Sequence, residues 1–479
     1  MSDRLERAAG RPSSPFVTVV VLNYNAGPLL VKCLESLLLT EYSSDAIEII
    51  VVDNASSDGS PQLVRGKFPS VYMIDAGANL GFSAGNNLAM REAPGPYVAL
   101  VNPDTEVDPG WLMPLVDVLE ADAWAGAAQP KLLLYEDRIP LRIQSSTFVP
   151  QNAGMGADER HLGVRVEMAS AAADGRSLQI DFRSGFGAPE IDERGAEFRW
   201  ALGDAELGIA AVGDGPVELS LTLSARGRND AQVEFSALVG GECIHLGVVG
   251  AASEVFEIEI PPEARRHARP VVQNAGSFPL PDGSSRDRGT VVSWGNVYCD
   301  WDGPSYASPG EVFSFNGAGV LLRKSMLEEI GYFDEHIFLY YEDTDLAIRA
   351  RRRGWRVVFR PESVIRHHHS AVAVEGSPLF TYNVARSRLY VILKHWPLDV
   401  AIRALAEHTL ETLRSGLLLS RQMLCWPPMR PVELRRFTPR IRALRRFLLD
   451  VPAALAARST ERRAGGLDID LFRPWFVDP

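Results

Sequence analysis

The sequence predicts an α/β fold: a mostly parallel sheet, interrupted by an antiparallel β-sandwich and followed by a basic helical region. Three observations carry this. Four short apolar runs, each trailed by a helical pattern, alternate within residues 16 to 121, and that alternation means βα units with parallel strands. Between Ile143 and Trp301 there are no lysines and many short alternating runs, such as Val217–Leu223 and Val255–Ile260. Such runs suit half-buried antiparallel strands. Beyond residue 375 leucines and arginines interleave at helical spacing.

Taken in order, Phe16–Leu22 is a β-branched strand that stops at Asn23-Tyr24-Asn25-Ala26-Gly27, and a helix is expected over Leu29–Leu39. Ile47–Val52 repeats the pattern and stops at Asp53-Asn54, with Pro61 placed to open the next helix. Val71–Ile74 is a third strand. The stretch Asn79–Asn87 reads as a glycine-punctuated loop entering a helix near Leu88–Glu92, and Tyr97–Val101 is a buried strand halted at Asn102-Pro103-Asp104.

An open α/β sheet binds its ligand beyond the carboxyl ends of its strands. The polar clusters at those ends, Asn23, Asn25, Asp53, Asn54, Asn79, Gly81, Gly85, Asn86 and Asp104, would therefore face one crevice suited to a nucleotide. Asp104 by itself says little, since Asp also starts turns and caps helices. Gly81 and Gly85 lack the three-glycine spacing of a dinucleotide turn and lie third in the sheet, not first.

Charge and cysteine content narrow the classes. The net charge of −12 argues against general nucleic-acid binding. Residues 380–479 hold 17 Arg or Lys against 9 Asp or Glu, whereas residues 1–379 hold 32 against 52. The four cysteines are far apart, so neither a disulfide framework nor a zinc site is indicated, and a reducing compartment fits. Residues 1–15 read as a disordered start with no signal-peptide core, and no apolar run nears the roughly 18 residues of a membrane span.

After the sandwich, Phe313–Arg323 brings glycines, Gly317 among them, that let a ligand approach the backbone. Gly331-Tyr332-Phe333-Asp334-Glu335 and Phe338-Leu339-Tyr340-Tyr341-Glu342-Asp343-Thr344-Asp345 follow, then Gly354-Trp355 and the triple histidine His367-His368-His369. Acidic residues gather in a helix's first turn for electrostatic reasons, and Asp345 with Arg349 forms an i,i+4 pair. Neither reason accounts for the two tyrosines before them.

Val51–Ser60, Asn79–Asn86, Asn102-Pro103-Asp104 and Gly331–Arg349 together resemble the family 2 glycosyltransferases, GT-A (Rossmann-like) in fold, in their rhamnosyltransferase-like and galactofuranosyltransferase-like branch. The likeness covers roughly residues 16–135 and 311–397. It implies an inverting, metal-dependent hexosyltransferase that moves a sugar, rhamnose-like or another hexose, from a nucleotide-diphosphate-sugar to a glycan or lipid-linked acceptor in cell-surface polysaccharide assembly. By this resemblance Asp53 meets the nucleobase, Asp104 and His367 hold Mg2+ or Mn2+, Asp343 is the general base and Glu342 orients it or the acceptor. A base with an ordinary carboxylate pKa suffices there. One departure stands out: Asn102 replaces the first carboxylate of the Asp-x-Asp found in many relatives. That loss and the large insert also fit a non-catalytic carbohydrate-binding or scaffold protein.

The expected domains are a donor half over 16–150, the insert over 157–270, an acceptor half over 271–397 and the basic helical region over 398–479. Trp200 or Phe235 of the insert would either stack on sugar rings or fill the sandwich core. Arg386 or Arg388 would approach phosphate. In the tail, the arginine pairs at 435–436 and 445–446 with Phe437 and Phe447 suit an anionic membrane surface, or packing against the core or a second subunit of a homo-oligomer. The expected location is cytoplasmic, peripheral on the inner face of the membrane, with no nucleic-acid partner.

Overall fold

The computed structural model describes residues 14–153, 157–192, 195–227, 232–368, 376–424, 432–465, 470 and 472–476. Most of the N-terminal stretch, His369, Ser370, Cys425 and the side chains of Arg435 and Arg436 lie outside the described set. The chain divides into two compact units, one of residues 1–135, 274–288 and 304–479, the other of 136–273 and 289–303.

The first unit begins with strand β1 (Val17–Asn23), helix α1 (Gly27–Leu38), β2 (Ile47–Asp53), α2 (Ser60–Lys67), β3 (Tyr72–Asp75), α3 (Gly81–Glu92), β4 (Tyr97–Val101), β5 (Thr105–Val107), α4 (Met113–Ala121) and β6 (Ala125–Leu134). After the interruption come the hairpin β7 (Ser277–Pro279) and β8 (Ser285–Asp287), then β9 (Gly310–Val312), β10 (Gly319–Arg323), α5 (Lys324–Ile330), α6 (Glu342–Arg352) and β11 (Arg356–His367). Helices α7 (Pro378–His395), α8 (Leu398–Leu424) and α9 (Val432–Gly465) close the unit. Its sheet runs β6-β10-β4-β1-β2-β3. β4, β1, β2 and β3 are parallel, as expected, while β10 enters antiparallel to both β4 and β6. β4 is buried along its whole length because helices cover both faces of the sheet.

One local expectation changes. The stretch from Gly81 is already helix, because Asn79 Oδ1 accepts the Gly81 N–H at 3.0 Å and Asn54 Oδ1 accepts that of Leu80 at 2.8 Å, which satisfies the donors that open α3. Val357–Phe359 and the run ending at His367 form a single strand, β11, that crosses a register shift between Arg360 and Val364.

The second unit is an antiparallel sandwich. One sheet orders Ile180–Phe182, Asp204–Ala210, Arg138–Ser145, Val233–Val239 and Glu242–Val249; the other is built on Arg165–Ala173, Val217–Ser224 and Glu254–Ile260. The alternating residues face one core, with Leu219, Leu221, Leu223, Ile139 and Leu207 fully buried. Phe235 and Trp200 are 2% and 7% exposed, so both pack inward and neither presents a ring for stacking on sugar.

Candidate active site

At the ends of β1 and β2 the polar residues hold one another. The Asn23 side-chain amide donates to Asp53 Oδ1 at 3.0 Å and to Ser60 Oγ at 2.8 Å, and Asn25 Oδ1 accepts the Ser57 N–H at 2.8 Å. Asn25 and Ala55 sit at φ 54° and 63°, a left-handed conformation that side chains avoid unless the surroundings impose it. Asn54 donates to Asn79 Oδ1 at 3.0 Å and to the Gly81 carbonyl at 3.2 Å, so the second and third strand ends form one preset rim. Gly85 and Asn86 turn away from it. A Cβ on Gly85 would lie 2.6 Å from Leu22 Cδ1, so this glycine serves helix-on-strand packing, and Asn86 bonds to the Phe82 carbonyl inside its own helix at 3.0 Å.

Gly81 joins this rim to the later part of the chain. At φ +80° a Cβ there would lie 2.5 Å from the Phe338 carbonyl oxygen, the same atom that accepts the Phe82 N–H at 2.7 Å. Asn87 makes a second tie, bonding both the N–H and the carbonyl of Phe333. The rim and the segment before α6 are thereby locked together.

Asp104 follows β4, whose end is fixed where the Asn102 N–H meets the Ala318 carbonyl at 3.0 Å. β11 pairs antiparallel with β5 so that His367 stands opposite Thr105. This register brings His367 Nε2 to 3.2 Å from Asp104 Oδ1, and both residues are buried. Burial pushes the Asp104 pKa up, but the hydrogen bond and charge of His367 outweigh it and leave the carboxyl below its usual range. His368 stacks on Tyr135 with centroids 3.6 Å apart and donates its N–H to the Asp104 carbonyl.

The N-terminus of α6 carries the second group of carboxylates. Tyr340 and Tyr341 immediately before it both adopt left-handed backbone, φ 65° and 70°. Two such bulky residues in succession cost on the order of 1–3 kcal/mol each, and strain of this kind is stored at functional sites. The turn delivers Glu342 and Asp343 to the Gly317 loop, where a Cβ on Gly317 would lie 3.0 Å from the Phe82 ring and 3.8 Å from Glu342 Oε1. Glu342 is 5% exposed and its Oε2 has no hydrogen-bond partner. Burial, then the Asp343 charge, pushes its pKa well above the ordinary value. Asp343 Oδ1 accepts the Thr344 N–H at 2.6 Å, yet burial and the nearby Asp287 carboxylate still raise it to about 6. The expectation of an ordinary base is corrected here, because the cations of this region are engaged elsewhere.

They surround Asp345. Arg349 Nε lies 2.9 Å from its Oδ2 and Lys394 Nζ 2.7 Å from its Oδ1, and the His395 ring, whose pKa burial lowers to about 3, adds a neutral partner with Nε2 at 2.7 Å from Oδ1. Burial alone would raise Asp345; Lys394, Arg349 and His395 hold it well below the usual range instead. A single helical turn thus holds two carboxyls of raised pKa and one of lowered pKa.

Two expected phosphate ligands are otherwise engaged. Arg386 is buried against Asp450 at 2.7 Å, and Arg388 pairs with Asp282 at 2.9 Å. Sequence reasoning missed Asp287, which arrives on the β7–β8 hairpin and accepts the Ser277 hydroxyl at 2.7 Å. It gave no local signal, since its neighbour Asp343 lies 56 residues onward by numbering.

Comparison with known proteins bears on this site. Residues 18–160 match the family model of glycosyl transferase family 2, and residues 284–378 that of glycosyl transferase family group 2. The chain is similar to an N-acetylglucosaminyl-diphospho-decaprenol L-rhamnosyltransferase of Mycobacterium tuberculosis, 32% identical over 123 residues, which are 23% of this chain and 39% of that protein. It is also similar to the succinoglycan biosynthesis protein ExoO of Rhizobium meliloti, 35% identical over 114 residues, 24% and 31% of the two chains. The chain thus spans about two fifths or less of these curated relatives. Among solved structures, GalNAc-T7 with UDP, GalNAc and Mn2+ aligns at a TM-score of 0.43 and 11% identity, over 93% of this chain and 58% of the other.

Proposed function

We propose that this chain, which carries a family 2 glycosyltransferase domain over residues 18–160, is an inverting glycosyltransferase that takes a hexose from a nucleotide-diphosphate-sugar and gives it to a glycan or lipid-linked acceptor in polysaccharide assembly. The observation that carries the reading is the carboxyl pair Glu342 and Asp343, presented on strained backbone, raised in pKa and tied through Phe338 to the rim that ends β1, β2 and β3.

In this reading Asp53, Asn23 and the Asn54–Asn79 rim seat the nucleotide. Asp343, as carboxylate, removes the proton from the acceptor hydroxyl while that oxygen bonds to the anomeric carbon. The bond from that carbon to the phosphate oxygen breaks, and the nucleoside diphosphate leaves with its electron pair. A single displacement inverts the centre. With a pKa of about 6 the base is mostly ionised at neutral pH and still basic enough to accept the proton. Glu342, whose pKa burial and the Asp343 charge raise well above the ordinary value, stands beside the base and orients it or the acceptor in this reading.

Asp104 and His367 fit a divalent cation of the Mg2+ or Mn2+ kind, since a charged carboxylate oxygen and an imidazole nitrogen stand side by side. No cluster of three or more His, Cys, Asp or Glu that would hold a metal is found among the described residues, so the ligand set would be completed by diphosphate and water. Such a cation, when bound, offsets charge growing on the leaving diphosphate. Asn102 fits this account as a weaker site, not a lost one.

The acceptor side bears on the membrane. Among the described residues no helix is long and apolar enough to cross one. In the tail, Phe447 is 4% exposed and packs in the core, and the Phe437 ring packs on Gly416, so these two rings follow the core-packing alternative. The outward face of α9 is formed instead by Ile441, Leu448, Leu449 and Leu455 beside exposed Arg442, Arg445, Arg446, Arg462 and Arg463. Asp450 is buried against Arg386. A basic face with exposed leucines suits reversible contact with anionic lipid headgroups, each arginine contributing roughly 1 kcal/mol.

The deciding experiment incubates the protein with a panel of nucleotide-sugars and follows nucleoside diphosphate release. Release from at least one donor in the wild type, lost in Asp343→Asn, is expected. Equal release by both proteins would overturn the assignment of the base.

A further inference from the structure

We infer that helix α8 presents a self-complementary face on which a second copy of this chain docks antiparallel, about a two-fold axis.

The inner side of α8, with Val400, Ala404, Thr412 and Ser415 buried, lies against α7 and α9. Its outer side carries Leu398, Ile402, Leu410, Leu413 and Leu417, each between 49% and 66% exposed. At about 100° per residue these five fall within about 120° of one another, and at 1.5 Å per residue they run for about 30 Å along the helix. Single exposed leucines are ordinary on a protein surface. A continuous stripe of them marks a contact surface.

The charges that border the stripe select its occupant. A helix that lies on an anionic membrane keeps a basic border, as the outward face of α9 does. Along α8 the exposed border instead alternates in sign: Asp399, Arg403, Glu407, Glu411, Arg414. Three carboxylates against two arginines would be repelled by anionic headgroups.

Turned end for end, the same border complements itself. In an antiparallel two-fold pair, residues whose numbers add to one constant lie opposite each other, and both copies contribute the same patch. A sum of 815 sets Leu398 against Leu417 and Ile402 against Leu413, so the stripe closes on itself. Sums of 813 and 814 set Asp399 against Arg414 and Arg403 against Glu411, and each of these joins opposite charges. Glu407 falls near the axis but about 120° round the helix from the middle of the stripe, where it stays in water. Within one chain Asp399 pairs with Arg403 at 2.9 Å and Glu411 with Arg440 at 3.2 Å. Both carboxylates are more than half exposed, and pairs of this kind exchange at little cost. One helix pair lies at the small end of stable interfaces, so a dissociation constant on the order of 10 μM is expected.

Sedimentation of the full chain over roughly 1–100 μM should show a monomer–dimer equilibrium. Ile402→Ser together with Leu413→Ser should raise the dissociation constant at least about 30-fold, with the unfolding midpoint unchanged because both side chains are exposed. Asp399→Arg and Arg414→Asp should each raise it about fivefold, and the two reversals combined should recover most of the loss. Register is read by a disulfide: Ile402→Cys with Leu413→Cys should link two chains through these positions on mild oxidation, as located by peptide mass mapping. Ile402→Cys alone, about 16 Å from its own copy in this register, should not. A chain that stays monomeric to 100 μM, or a dimer indifferent to the serine and charge-reversal variants, would overturn the inference. So would a monomeric wild type whose pelleting with vesicles is lost in Ile402→Ser/Leu413→Ser, since the face would then belong to lipid.

Discussion

His367 Nε2 and Asp104 Oδ1 stand 3.2 Å apart although 263 residues separate them in the chain. The register of β11 on β5 creates this contact, and the pair is the part of the molecule best suited to a divalent cation. Asp104→Ala and His367→Ala should each weaken binding of Mn2+, read by the loss of its free-ion electron paramagnetic resonance signal, by roughly 10-fold or more. A chelator should stop nucleoside diphosphate release. Unchanged Mn2+ uptake in both variants would remove the metal from the account.

The pH dependence follows from Asp343. Its pKa is raised to about 6 by burial and by Asp287, and the base works as carboxylate. Below that pH the proton occupies the site, so kcat/KM should drop about tenfold per unit, and above it the rate should level. Because Glu342 is raised beside it, the observed midpoint belongs to the pair. An acid limb centred near pH 4 would contradict the burial of the site.

Asp345 should behave in the opposite way. Its folded pKa is held below the unfolded value of about 3.9, so the stabilisation is fully present above that pH and is lost as the pH falls through the folded value. Asp345→Ala leaves Lys394 and Arg349 buried without their partner and should cost about 3–5 kcal/mol, read by denaturant unfolding. A loss under about 1 kcal/mol would show that Asp334, 2.7 Å from Lys394, takes over the charge.

On membranes, vesicles with anionic headgroups should pellet the protein at low salt and neutral vesicles should do so poorly. Replacing Leu448 and Leu449 by Ser and Arg445 by Gln, all on the exposed side of α9, should weaken pelleting while unfolding and donor binding stay unchanged. Equal pelleting by both vesicle types would assign this face to protein contact.

Gly81 offers a check on how the two parts of the site are joined. With φ +80° and the Phe338 carbonyl 2.5 Å from where a Cβ would stand, Gly81→Ala should lower both donor affinity and the rate, because the rim and the base segment must separate. Wild-type kinetics in this variant would show that the Phe82–Phe338 bond is not needed.

Local pattern settled much of this protein. The β-branched runs at Val17, Ile47 and Tyr97 and the alternation at Val217 are properties of neighbouring residues, and they specified parallel sheet and sandwich because period and burial are linked within one element. The acidic cluster of Glu342, Asp343 and Asp345 was equally visible. What the sequence left open was which of these carboxyls is neutralised. Lys394 and His395, which serve Asp345, and Asp287, which presses on Asp343, come from elements about 50 residues to either side, and only the packing of α7 and of the β7–β8 hairpin against α6 decides the matter. The same holds for Phe447, whose helical spacing fits a lipid-facing position as well as a buried one. Charge and exposure depend on partners through space, and those partners are fixed by tertiary structure.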